Sequence, residues 1–168
     1  FNWDQLKLIG NALASPGHGF ASSNAWKGLG MSTDNAIMIS PDQFTEMAVP
    51  SIKKICDKLG GAAFHSCGNC DKWIDAVLNI DDLIMADGAF SQETDPDAII
   101  AFASFYKFRN TGVILNSRII DTLDVIEESV KRIWTPGMKL IVVTYCKTPE
   151  EQEEAYYSIH KICSEGSH

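Results

Sequence analysis

The chain has 168 residues, 45% of them hydrophobic, and a formal net charge of -8. That is enough apolar material for one sizeable core, so a single domain over 1–168 is expected. The acidic balance and the lack of any Lys/Arg-rich run exclude polyphosphate partners, so neither nucleic acid nor an anionic membrane is expected to bind.

Apolar runs fall far short of a bilayer span, and no basic-then-apolar leader opens the chain, so we expect neither a transmembrane helix nor a signal peptide. Five cysteines, an odd number beside an ample core, fit reduced thiols in the cytoplasm better than a disulfide framework. The chain begins at Phe1 rather than a methionine, and we therefore expect a longer parent polypeptide.

Asn2 predicts a capped helix through about Ala14, with Trp3, Leu6 and Ile9 inward, ended by Ser15-Pro16-Gly17. A short strand over His18–Ser22 follows. Residues Ser23–Met38, rich in Gly, Ser, Asn and Asp, read as a long irregular loop of the kind that carries function. Ser40-Pro41-Asp42-Gln43 combines a serine cap, a proline at the first helical position and a glutamine three residues on, which starts a helix. Its inward stripe is Phe44, Met47, Ala48, Ile52, Ile55, Cys56 and Leu59; it tolerates or kinks at Pro50 and stops at Gly60-Gly61.

Next comes A-A-F-H-S-C-G-N-C-D, Ala62–Asp71, the stretch in which chemistry is most concentrated. As a strand it has period 2, so His65 and Cys67 point to one face and Phe64 and Ser66 to the other. Two metal-competent side chains thus stand side by side where a strand ends. Asp71 then caps a helix with Trp73, Ile74, Val77 and Leu78. A strand over Asp82–Ala86 runs into a polar loop holding Asp87, Gln92 and Glu93, and Asp95-Pro96 starts a helix with Ile99, Phe102 and Tyr106 in register. Thr111–Asn116 reads as a strand, Val125, Ile126, Val130 and Ile133 mark a helix closed by Thr135-Pro136-Gly137, and Lys139–Tyr145 is the clearest strand. Thr148-Pro149-Glu150-Glu151 opens a last helix with Tyr156, Ile159 and Cys163 inward. We assign Cys56 and Cys163 to packing.

This alternation predicts an α/β fold with a parallel sheet, its later strands nearly all apolar because both faces are covered. Parallel connections put every C-terminal strand end on one rim, so His65, Cys67 and Cys146 should share it. Leu140, Val142, Thr144 and Cys146 fall on one strand face, which points Cys146 to the interior occupied by His65.

The runs I-S-P-D-Q-F-T-E-M-A-V-P, F-H-S-C-G-N and T-Y-C-K-T-P resemble the uroporphyrinogen decarboxylase superfamily. Within it they are most similar to the zinc-dependent corrinoid methyltransferases of the methylcobalamin:coenzyme M type. The resemblance covers essentially the whole chain but only the C-terminal half of that family's (β/α)8 TIM barrel. It implies zinc held by His65, Cys67 and Cys146, and transfer of a methyl group between a corrinoid (methylcobalamin) protein and a thiol or similar acceptor. It also implies a carboxylate in the open zinc position without substrate, for which Asp87 and Glu93 are candidates, while His18, Trp26 and Asp34 are candidates to line the substrate side. Cys70 departs from the pattern: C-G-N-C adds a CxxC that is an alternative ligand or a redox pair. A half-barrel leaves strand edges open, so self-association or a second chain completing the barrel is expected.

Three other readings compete. A metal-free decarboxylase-like tetrapyrrole enzyme would want clustered arginines, yet Arg109, Arg118 and Arg132 are scattered in sequence. A thioredoxin-like protein using Cys67 and Cys70 leaves His65 and Cys146 unexplained. A truncated, non-catalytic homologue would keep the ligands without the rest of the pocket.

Overall fold

A computed structural model describes residues 29–66, 71–89 and 102–166. The expected helix over 2–14, the strand over 18–22, the start of the helix at Asp95, and His18, Trp26, Cys67, Cys70 and Glu93 lie outside the described residues.

Five strands form one all-parallel sheet in sequential order: β1 (Leu29–Ser32), β2 (Ala62–Ser66), β3 (Leu83–Ala89), β4 (Ile114–Arg118) and β5 (Lys139–Val143). The helices between them are α1 (Val49–Leu59), α2 (Ile74–Leu78), α3 (Leu123–Ile133) and, after β5, α4 (Pro149–Glu165). The chain is thus an α/β fold whose parallel strands alternate with helical segments, as the pattern predicts. No helix among the described residues is long and apolar enough to cross a membrane.

The cross-strand register separates two faces. Phe64, Ala86, Leu115 and Leu140 lie in one row, and the first three of these belong to the apolar core shared with the helices. Phe44, ahead of α1, meets Phe64 edge to face with ring centroids 5.9 Å apart. From α3, Ile126, Val130 and Ile133 enter the same core. The other face carries the row Ser32, His65, Asp87, Asn116 and Ile141. The side of the Phe64 row is packed against the helices, and the other side carries the polar residues His65, Asp87 and Asn116.

Several elements differ from the sequence reading. Residues 29–32, read as loop, form β1: the segment lacks β-branched residues, but pairing with Ala62–His65 supplies its hydrogen bonds. The helix beginning at Ser40 contains a π turn, Phe44–Ala48, directly before Pro50. The wider i to i+5 bonding relieves the clash of the proline ring with the preceding turn. Val49 takes an inward place while Met47, expected inside, is exposed. β3 runs on through Asp87 and Gly88, which the sequence reading gave to a loop. Tyr106 and Tyr156, expected inward, face solvent; Phe105, Phe108 and Ala155 are buried beside them.

Candidate functional site

The end of β1 is fastened to the end of β2. Both the amide and the hydroxyl of Thr33 donate to the carbonyl of His65, at 2.8 and 2.7 Å. Asp34 therefore starts its 3-10 turn, Asp34–Met38, directly beside the imidazole. The Asp34 Oδ1 lies 3.5 Å from His65 Nε2, and Oδ2 accepts a hydrogen bond from Ser32 Oγ at 2.8 Å. Asp34 is half-exposed, whereas His65 is buried.

On the neighbouring strand Asp87 is the register partner of His65, and its Oδ2 stands 2.8 Å from His65 Nδ1. A carboxylate oxygen accepts, so this ring nitrogen carries the proton and donates it. Arg118, one strand further, places Nη2 3.5 Å from the same Oδ2. The other oxygen of Asp87, Oδ1, is buried without a hydrogen-bond partner among the described residues. Beneath the polar row, Ala63 and Met85 share its face and are almost fully buried, so the histidine sits on an apolar floor.

Two of the residues named from sequence, Asp34 and Asp87, are thus brought to opposite nitrogens of His65. Asp87 is a strand residue and not a solvated loop residue, because β3 extends to Ala89. Arg118 joins the site although its sequence position suggested no role. The signal was present in I-L-N-S-R, whose period of 2 puts Asn116 and Arg118 on one face of β4.

Cys146 is placed differently from expectation. Leu140 and Val142 pair with Leu115 and Ser117, so the face they share is the one opposite His65. Cys146 lies three residues beyond the end of β5 and lines a cleft of about 720 Å³ with Asp121, Thr122, Tyr145, Glu151 and Glu154. β2 and β5 are separated by β3 and β4, three strand spacings or roughly 14 Å along the sheet. Among the described residues no group of three or more His, Cys, Asp and Glu side chains is placed to hold a metal ion. Cys67 and Cys70, adjoining His65 in sequence, are not among them.

The donor chemistry of His65 nonetheless fits zinc. Metal-bound histidines characteristically donate their second N–H to a carboxylate, as Nδ1 of His65 does to Asp87. The chain matches no protein-family model, no curated protein and no solved structure.

Proposed function

We propose that this chain is the zinc-bearing part of a methyltransferase that moves a methyl group between a corrinoid protein and a thiol or similar acceptor. The observation that carries the reading is the buried His65, its Nδ1 tied to Asp87 and its Nε2 turned toward Asp34, at the C-terminal end of a parallel sheet. Ligand sites of α/β proteins sit at that end. Cys67 follows His65 by two residues, so a second donor of the right kind adjoins the imidazole in sequence.

His65, Cys67 and Cys146 are the ligands we propose, three protein donors being the number that leaves a zinc position open to substrate. Cys70 competes with Cys146 for the third place, since it lies three residues from Cys67 whereas Cys146 follows a strand three spacings away. The chemistry zinc supplies when bound is Lewis acidity: a thiol joining it loses its proton at neutral pH, and thiolate ligands keep that sulfur nucleophilic toward methyl.

The chain's own residues orient and shield. Asp87 holds the imidazole tautomer, Arg118 holds Asp87, and Ala63 and Met85 keep water from below. Of the three arginines only Arg118 takes part in these contacts; Arg132 pairs with Glu128 on α3. That scatter favours methyl transfer over a tetrapyrrole decarboxylase, which would gather cations for its substrate's carboxylates. β1 and β5 are the edges of the described sheet, so the same proposal includes a second chain or second copy that completes the barrel.

Metal analysis of the purified protein tests this reading. About one zinc per chain is expected on the ligand count, lost in Cys67→Ser and weakened in whichever of Cys146→Ser and Cys70→Ser removes the third ligand. Absence of zinc together with a Cys67–Cys70 disulfide would overturn it. Methyl transfer from free methylcobalamin to a panel of thiols then distinguishes a catalyst from a non-catalytic homologue.

A further inference from the structure

We draw no further inference here: the strongest candidate, the apolar groove of about 860 Å³ between α4 and the edge of the described sheet at β5, lined by Leu140, Val142, Tyr156 and Ile159, has nothing in the structure to show what covers it.

Discussion

Nδ1 of His65 and Oδ2 of Asp87 stand 2.8 Å apart on adjacent strands, both side chains buried. Burying a carboxylate is unfavourable unless its oxygens are paired, and here one oxygen meets both an imidazole N–H and a guanidinium. Removing one member strands the other in a site that water does not reach. Asp87→Ala should therefore destabilise the fold by about 3–5 kcal/mol, and Asp87→Asn, which keeps an acceptor, by less. Urea titrations of both variants check this. An Asp87→Ala protein with the wild-type midpoint would mean that the pair contributes nothing to the fold.

Asp87→Asn also separates stability from metal binding. Loss of a charged orienting partner typically lowers metal affinity by about 10–100-fold. If the proposed zinc site forms, the asparagine variant should therefore fold, yet give up zinc to a chelator that the wild type resists. Nitrogen NMR of His65 in the metal-free wild type should show the Nδ1-protonated tautomer; the Nε2-protonated form would contradict the geometry.

Cys56 offers a test of the core that is independent of the site. It lies in α1 with 1% of its surface exposed. Burial, reinforced by the charge of Asp82, pushes its thiol up from 9.0 to about 11. Between those values the unfolded chain releases a proton that the folded chain keeps, so folding stability falls as pH rises. The contribution is fully present below about pH 9 and is lost by about pH 11, a change on the order of 3 kcal/mol. Cys56→Ala should flatten this part of the stability profile. Thiol reagents at pH 8 should label Cys56 far more slowly than Cys146, which lines an open cleft.

How far the sequence carried the structure depends on which interactions set each element. Elements governed by local chemistry were legible. The Ser40 cap, the alternation around Phe64 and His65, and the α3 stripe of Ile126, Val130 and Ile133 depend on neighbours a few residues away. β1 was not legible, because Leu-Gly-Met-Ser has little strand preference and is held by its partner β2. The π turn was also hidden: Pro50 announced a disturbance, but only the packing of Phe44 and Val49 decided its form. At the site, period 2 on β2 separated His65 from Phe64 correctly. It was misleading for Cys146, since alternation does not fix which face of β5 meets which face of β2; cross-strand register does.

Ser40 makes a further prediction from local chemistry alone. Its Oγ accepts from the Gln43 amide at 3.2 Å, and the Gln43 side chain accepts from the Ser40 amide at 3.0 Å. Two backbone donors that the helix start would leave open are thereby satisfied. Ser40→Ala should lower stability by about 1 kcal/mol. Ser40→Asp should retain most of it, because the carboxylate caps the same amide and favours the positive end of the helix. Thermal unfolding of the two variants side by side distinguishes loss of the cap from a general intolerance of change at this position.

Gly61 links α1 to β2 with φ at +125°, directly after Gly60 at +78°. Both amides donate to the carbonyl of Cys56 and close the helix, while the Gly61 carbonyl accepts from Leu29 at the start of β1. A Cβ at position 61 would lie 2.5 Å from Ile84 Cδ1. Gly61→Ala thus meets two separate penalties, a backbone conformation that alanine resists and a side-chain collision, and should destabilise by roughly 1–3 kcal/mol. Combining it with Ile84→Ala removes the side-chain collision and leaves the backbone penalty together with a tight approach, 3.1 Å, to the Asp82 carbonyl. In a double-mutant cycle the pair should be less destabilising than the sum of its parts. Strict additivity would mean that Ile84 moves aside without effect and that the strained backbone accounts for the whole loss.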